Sequence, residues 1–148
     1  MIEFKKASLT DITHAARLAL ALWPDHTLSE LEAELKELIH SEDAAVFLAL
    51  QNNDPIGFAQ CQLRRDYVEG TESSPVGYLE GIYVADIFRK KGIARSLLAA
   101  CEQWAKQKGC FEFASDCELT NQESLNFHLA VGFEEANRII CFTKELGH

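Results

Sequence analysis

Apolar residues recur along the chain with two different spacings, which predict strands in some segments and helices in others. Runs typical of strands occupy residues 2–6, 44–51, 56–63, 77–84, 111–117 and 139–144. Apolar positions three and four residues apart predict helices over residues 12–22, 28–39, 92–108 and 121–130. The predicted order of elements is therefore β-α-α-β-β-β-α-β-α-β.

This order indicates an α/β fold. Residues 77–117 have the pattern strand, helix, strand, a unit that forms a right-handed parallel crossover. Hairpins precede it, one of them with a turn at residues 52–55. We therefore expect a mixed sheet covered by helices, in a single domain over residues 1–148, a length that one domain can fill.

Several helix ends are marked in the sequence. Pro24 ends the first helix, and Thr27 with Glu30 forms the pattern of a capping box for the second. Gly109 follows the third helix at the position where glycine commonly ends a helix. Residues 64–75 are polar and predict a loop around a long hairpin.

The charge of the chain limits its partners. The formal net charge is -9 in 148 residues, which argues against nucleic acid or an anionic membrane surface as the main partner. An acidic chain leaves room for a cationic substrate, although many acidic proteins bind nothing cationic. How far this favours a cationic ligand depends on where the acidic residues lie.

The cysteines and the N-terminus indicate a cytoplasmic protein without a metal. The five cysteines include no CxxC pair and the five histidines lack ligand spacing, so we expect reduced cysteines and no metal site. Residues 1–6 lack the apolar core of a signal peptide. The most apolar stretch, residues 15–23, is too short to span a membrane.

The segment Arg89–Ala94 is the strongest candidate for binding chemistry. It places three basic residues and Gly92 between a predicted strand and the start of a helix. The first turn of a helix has unpaired N–H groups and the positive end of the helix dipole, so a phosphate is stabilised there. The alternative is an ordinary strand-to-helix turn with solvated lysines. The common glycine-rich nucleotide motifs are absent.

The same segment resembles a known family signature. Residues 89–94, Arg-Lys-Lys-Gly-Ile-Ala, match the [RQ]-x-x-G-x-[GA] motif of the GCN5-related N-acetyltransferases and follow the strand Leu79–Val84. Residues 121–133, which end in Gly132-Phe133, resemble the family's second cofactor motif. Residues 76–84 and 114–121 are similar to the aminoglycoside 6'-N-acetyltransferases within that family.

The resemblance implies both a fold and an activity. The fold is a mixed, mostly antiparallel sheet with a central, splayed parallel strand pair and helices on both faces. The activity is transfer of acetyl from acetyl-CoA to the 6'-amino group of an aminoglycoside antibiotic within a ternary complex, by an enzyme that is often a homodimer and confers resistance. Acetylation of a protein N-terminus or a polyamine, and a non-catalytic acyl-CoA sensor, are the alternatives.

Cofactor contacts are carried over from the family to matching positions. The backbone of 82–84 would pair with the pantetheine arm, backbone N–H groups of 89–94 would take the diphosphate, and the first residue of the last helix would contact the arm. The implied cofactor-binding residues are Ile82, Tyr83, Val84, Arg89, Lys90, Lys91, Gly92, Ile93, Ala94 and Asn121. Asn121 is equally suited to be a helix N-cap.

Glu80 is the acid that we expect at the reacting centre. Strand alternation places it on one face with Tyr78, Ile82 and Val84, where a carboxylate is costly unless it is paired or reaches a cleft. Gly81 beside it predicts a bulge or a close backbone approach. Glu80 is therefore either a substrate-binding base, which accepts the proton of the attacking amine, or a member of a structural ion pair.

Other acidic residues are candidates for holding a cationic substrate. Asp116 ends the next parallel strand, where ligands of open α/β sheets bind, although an aspartate there could also cap the following loop. It resembles the family's substrate-binding Asp position. Glu135 follows Gly132-Phe133, and its neighbour Glu134 is the alternative.

Four aromatic or histidine residues complete the candidate site. Trp23, His26 and Tyr67 lie in loops that resemble the family's substrate wall, and Trp23 is as well suited to core packing. His128 stands where most of the family has the tyrosine that protonates the leaving thiolate. Histidine could act as that general acid, or it could pack or hydrogen-bond within the fold.

Overall fold

The computed structural model describes all residues, 1–148, and divides the chain into an N-terminal unit, Met1–Asp116, and a C-terminal unit, Cys117–His148. The strands are β1 (Ile2–Lys6), β2 (Ala44–Gln51), β3 (Asp54–Arg64), β4 (Val76–Val84) and β5 (Phe113–Ala114). The helices are α1 (Ile12–Leu22), α2 (Leu28–His40), α3 (Ile93–Gln107) and α4 (Gln122–Ala130). The single domain over 1–148 stays a prediction.

The five strands form one mixed sheet in the order β1-β2-β3-β4-β5. The first four pair antiparallel, and β4 pairs parallel with β5. The predicted fold class is thereby confirmed. The parallel pair lies at an edge of this sheet rather than at its centre, because β5 is the last strand.

The strand predicted over residues 139–144 is wrong, since these residues have no regular secondary structure. Ile139, Ile140 and Phe142 are exposed. A strand exists only where a neighbouring backbone exchanges hydrogen bonds with it, and an apolar sequence does not itself supply that neighbour. The strand predicted over residues 111–117 is likewise shorter, reduced to Phe113–Ala114.

Helices cover both faces of the sheet in the N-terminal unit. Leucine and alanine side chains of α1 and α2 form one core cluster with Val46, Leu48 and Phe58. Helix α3 lies on the opposite face, where a methyl group added at Gly57 would come within 3.3 Å of Leu97. None of the helices has the length and apolar character needed to cross a lipid bilayer.

The predicted end signals are confirmed. Glu30 N donates to Thr27 Oγ1 at 3.2 Å and Thr27 N donates to Glu30 Oε1 at 3.3 Å, which completes the capping box of α2. Gly109 follows α3 with φ +90°, a backbone conformation that favours glycine.

Candidate active site

Strand β4 contains a bulge at Glu80. Gln60 of β3 pairs with Gly81 and Cys61 pairs with Leu79, so Glu80 is the extra residue on β4. A bulge bends its strand and changes the direction of the side chains beside it. The irregularity predicted next to Gly81 is confirmed.

The bulge changes which side chains share a face. Gly81 faces Trp23, and Tyr83 packs against the cluster formed by α1 and α2. Val84 instead lies on the α3 side, close to Gly57. Before the bulge, Gly77 also faces α3, since a methyl group added there would come within 2.7 Å of Ala105, so Tyr78 lies on the opposite side from Val84. The prediction that Tyr78, Glu80, Ile82 and Val84 share one face is therefore wrong, because one extra residue shifts the phase of the alternation.

Trp23 joins this region to the core. A methyl group added at Gly81 would come within 2.6 Å of the Trp23 ring, so only glycine allows the ring to lie against β4. The ring also meets Phe58 edge-on, with 6.0 Å between centroids. The packing role foreseen for Trp23 is confirmed, at a position beside the bulge. Tyr67, by contrast, is 76% exposed.

Glu80 forms an ion pair with Arg64. Arg64 Nη2 donates to Glu80 Oε1 at 2.9 Å and to Oε2 at 3.0 Å, and Arg64 Nε donates to Oε2 at 3.1 Å. Only 17% of the Glu80 side chain is exposed. Of the two roles considered for Glu80, the ion pair is thus present, and substrate contact stays a prediction.

The ion pair continues to Asp116 through Tyr78. The Arg64 guanidinium lies 3.4 Å from the centroid of the Tyr78 ring, and the Tyr78 hydroxyl donates a hydrogen bond to Asp116. Burial, followed by the bond to Asp116, raises the pKa of Tyr78, so its hydroxyl stays protonated and remains a donor. Two candidate acids, Glu80 and Asp116, therefore belong to one network.

Sequence reasoning missed Arg64, which was assigned to a polar loop. No local signal in the sequence identifies Arg64, because its position at the site follows from the register of the β3–β4 pairing. In the long hairpin of β3 and β4, Arg64 pairs with Val76, and Gln62 pairs with Tyr78. Arg64 therefore shares a face with the side chains that lead to Glu80.

A cleft lies on the same side of the sheet as Trp23. It has a volume of about 390 Å³ and is lined by Gln60 of β3 and by Glu34, Glu37, Leu38 and Ser41, which extend from the middle of α2 to the residue after its end. Since Gln60 is the β-partner of Gly81, this cleft borders the bulge. His26 lies at the other end of α2, 3.7 Å from Glu30 and 4.0 Å from Glu34.

The loop before α3 has the backbone form of an anion site. Gly92 is the N-cap of α3 with φ +80°, and it has no side chain to accept hydrogen bonds from the first turn. Nothing lies within 4 Å of the position where its Cβ would be. Ile93 is 3% exposed and anchors the helix start. The residues fit a diphosphate at this helix end.

The basic side chains of this loop have different roles. Arg89 Nε donates to the Val84 carbonyl at 2.9 Å, and its guanidinium pairs with Asp86 at 3.1 Å. Arg89 therefore fixes the loop to the end of β4. Lys90 has φ +63° and is exposed, and Lys91 is also exposed.

The two parallel strands separate early. Pairing of β4 with β5 is limited to Gly77 with Phe113 and Tyr78 with Ala114. Residues 79–84 of β4 continue beyond the end of β5 and pair with β3 on their other edge. The predicted splay is confirmed. Pairing of Ile82–Val84 with a pantetheine arm stays a prediction.

In the C-terminal unit, two of the foreseen structural roles are present. Asn121 is the N-cap of α4, and its Oδ1 accepts from Ser124 N at 3.0 Å. His128 Nδ1 lies 2.7 Å from the Ser124 carbonyl, and the ring packs against Phe127 and Phe133. Because a carbonyl only accepts, Nδ1 carries a proton. The cofactor role of Asn121 and the general-acid role of His128 stay predictions.

Glu135 is paired within the C-terminal unit. Its Oε1 accepts from Arg138 Nη2 at 2.8 Å and Nε at 3.0 Å. The hydrogen bond to Arg138 lowers the pKa of Glu135, so the side chain is ionised near neutrality. Its substrate role stays a prediction. No group of three or more His, Cys, Asp or Glu side chains is arranged to hold a metal ion.

The sequence matches the acetyltransferase (GNAT) family model over residues 12–133. It is 39% identical over 143 residues to the aminoglycoside N(6')-acetyltransferase type 1 of Salmonella typhimurium, covering 97% of this chain and 99% of that protein. It is 43% identical over 131 residues to the enzyme of that name from Serratia marcescens, covering 88% of this chain and 90% of that protein.

Solved structures agree with the sequence matches. AAC(6')-Iy in complex with the bisubstrate analog CoA-S-monomethyl-acetylneamine superposes with a TM-score of 0.95 at 38% identity, covering 99% of each chain. AAC(6')-Ih from Acinetobacter baumannii gives 0.93 at 38% identity, covering 99% of this chain and 100% of the other. The resemblance read from the sequence is confirmed, and the chain belongs to the GNAT family of acetyltransferases.

Proposed function

We propose that this protein is an aminoglycoside 6'-N-acetyltransferase, which moves the acetyl group of acetyl-CoA to the 6'-amino group of the drug. The observation that carries the proposal is the pair of acids Glu80 and Asp116 beside the splayed end of β4, in a chain similar over 97% of its length to an enzyme of that name. Two neighbouring carboxylates suit an acceptor that carries several ammonium groups.

The donor is acetyl-CoA, whose thioester supplies the acetyl group. Backbone N–H groups at the start of α3 hold the diphosphate, since Gly92 at the N-cap has no side chain that could accept hydrogen bonds from them. Backbone groups of Ile82–Val84 pair with the pantetheine arm as an added strand would, because β5 does not extend along this part of β4. An N–H group near Ile82 polarises the thioester carbonyl.

The chemistry is direct transfer within a ternary complex. An amine attacks only when neutral, so Glu80, directly or through a water, accepts its proton. The amine nitrogen bonds to the carbonyl carbon, the carbon–sulfur bond breaks, and CoA leaves as the thiolate and is then protonated. No protein nucleophile takes part, and the cysteines are bystanders. Resistance to the drug and a cytoplasmic location, where acetyl-CoA is available and thiols stay reduced, follow from this proposal.

Thiol release from acetyl-CoA tests the function. With the purified chain we expect turnover with kanamycin and tobramycin, with kcat/KM at least about tenfold above that for spermine or for a panel of peptides with free N-termini. Mass spectrometry of the product should place one acetyl group on the 6'-nitrogen. Faster turnover of spermine or a peptide would reassign the acceptor. Binding of acetyl-CoA without thiol release from any amine would make the protein a sensor.

A homodimer is the second part of the proposal. The final segment exposes four large apolar side chains, between 68% and 87% accessible, namely Ile139, Ile140, Phe142 and Leu146. Contiguous exposed apolar residues mark interaction surfaces, and the segment has the composition of a strand that lacks a neighbour. A second copy of the chain covers it.

Sedimentation at micromolar concentration should give twice the 16.6 kDa of one chain. The double variant Ile140→Asp/Phe142→Asp should sediment as a monomer, because two buried charges in an apolar interface are costly. Leu119→Asp is the control, since Leu119 is similarly exposed at 75% but lies outside the final segment. A monomeric wild-type chain, or a variant that remains dimeric, contradicts the proposal.

A further inference from the structure

Arg64 is the cation of a site that otherwise presents acids. Its guanidinium makes three hydrogen bonds to Glu80 and lies over the Tyr78 ring, 3.4 Å from the ring centroid. The planar fork of an arginine holds a carboxylate in one orientation, and stacking on an aromatic ring fixes the fork. Glu80 is thereby held in one place before any substrate binds.

Asp116 is tied to the same arginine. The Tyr78 ring that supports Arg64 also carries the hydroxyl that donates to Asp116. The orientation of the ring thus connects the two acids, although they belong to different strands or strand ends. A single arginine supports both carboxylates, one directly and one through Tyr78.

The network leaves acceptor capacity for a ligand. A carboxylate has about four acceptor positions, and Arg64 uses three at Glu80 while Tyr78 uses one at Asp116. Two carboxylates share one guanidinium, so the group keeps a net negative charge. These oxygens can receive ammonium or hydroxyl donors at two fixed points.

We propose that Arg64 is a positioning residue that fixes Glu80, and through Tyr78 also Asp116, for two-point recognition of a polycationic acceptor. The inference deepens the proposed function and rests on it. Arg64 has two effects of opposite sign on binding of the acceptor. Charge alone makes Arg64 repel a cationic acceptor, whereas orientation makes it improve the fit. Of the two effects on acceptor binding, that of orientation is the larger.

The test is a double-mutant cycle with Arg64→Met and Glu80→Gln. Arg64→Met should raise KM for the acceptor and lower kcat/KM by about 10- to 100-fold, because a carboxylate free to rotate is misplaced for the reaction. KM for acetyl-CoA should stay within about twofold, since the arginine does not touch the α3 loop. In the Glu80→Gln background the same substitution should change kcat/KM by less than about threefold, because the only carboxylate left to orient is Asp116, which the arginine reaches indirectly through Tyr78.

Two further variants separate orientation from charge and from folding. Arg64→Lys keeps the charge and loses the fork, so it should recover only a small part of the activity. Arg65→Met is the matched control. Arg65 is the neighbouring residue and also holds a carboxylate, Asp43 at 2.8 Å, but outside the network, so kcat and KM should not change. The double variant replaces both members of the pair by neutral groups and should stay folded.

Each outcome of the cycle either supports or overturns the positioning role of Arg64. A lower acceptor KM in Arg64→Met would show that the arginine competes with the substrate, and equal factors in both backgrounds would show that it does not act through Glu80. Either overturns the inference, as would full activity of Arg64→Lys. The cycle is run with whichever amine the wild-type chain acetylates. A drug that is not acetylated therefore overturns the proposed function, while the cycle with spermine or a peptide still decides the role of Arg64.

Discussion

Glu80→Gln should lower kcat/KM for kanamycin by about 100- to 10,000-fold, the range that loss of a general base produces. Glutamine has the size of glutamate and can still accept a hydrogen bond from Arg64, but it cannot take a proton from the attacking amine. It also removes the negative charge that holds an ammonium group. Steady-state kinetics with both substrates measures the effect, and KM for acetyl-CoA should stay within about twofold.

A fall in activity could also arise from damage to the fold, since Arg64 would lose its counter-ion. Asp43→Asn controls for this, because Asp43 also binds an arginine fork, that of Arg65, and the fork lowers the pKa of Asp43. Both variants lose one arginine–carboxylate pair, so thermal melting should show both chains folded at the assay temperature. Only Glu80→Gln should lose activity. Normal kcat and KM in Glu80→Gln would remove Glu80 from the mechanism.

The ion pair and the proposed role of Glu80 are compatible. A carboxylate with 17% of its side chain exposed is costly without a partner, and Arg64 supplies one. An arginine keeps its proton at any pH at which the enzyme works, so it cannot take the proton from the amine. Arg64 therefore stabilises the ionised carboxylate of Glu80 and still leaves it a lone pair that can accept the proton.

Local signals in the sequence predicted most of the fold. Strand β1, helices α1 and α2 and strand β2 were predicted to within a residue or two, because apolar spacing and capping act over a few residues. The anion loop was found in the same way, from one glycine at a helix start. The structure adds that Gly92 has φ +80°, so backbone conformation as well as space requires glycine there.

The errors arose where pairing between strands decides the structure. One extra residue at Glu80 reverses the faces on which the side chains of Gly81 to Val84 lie. The residue types in the sequence do not indicate on which side of Gly81 the bulge lies. Arg64 was missed because its partner is 16 residues away across a hairpin whose register is known only from the fold. The expected strand at 139–144 failed for the same reason, since its partner is not encoded in its own sequence.

Gly92→Val should raise KM for acetyl-CoA by about 10- to 100-fold. A β-branched residue at φ +80° costs about 1–3 kcal/mol. The loop relieves that strain by turning its N–H groups away from the diphosphate. Steady-state kinetics and calorimetric binding of CoA measure the change, and KM for the drug should move little.

The matched control lies at the other end of the same helix. Gly109 has φ +90° and, like Gly92, nothing within 4 Å of its Cβ position, so Gly109→Val imposes similar backbone strain without touching the loop. Both variants should melt at a lower temperature by similar amounts. If Gly109→Val weakened CoA binding as much as Gly92→Val, the loss would reflect general destabilisation of α3, and the diphosphate would have to be held elsewhere. If only Gly92→Val loses affinity for CoA, the start of α3 is where the donor binds. This result does not depend on Glu80 and Asp116, the acids that bind the acceptor.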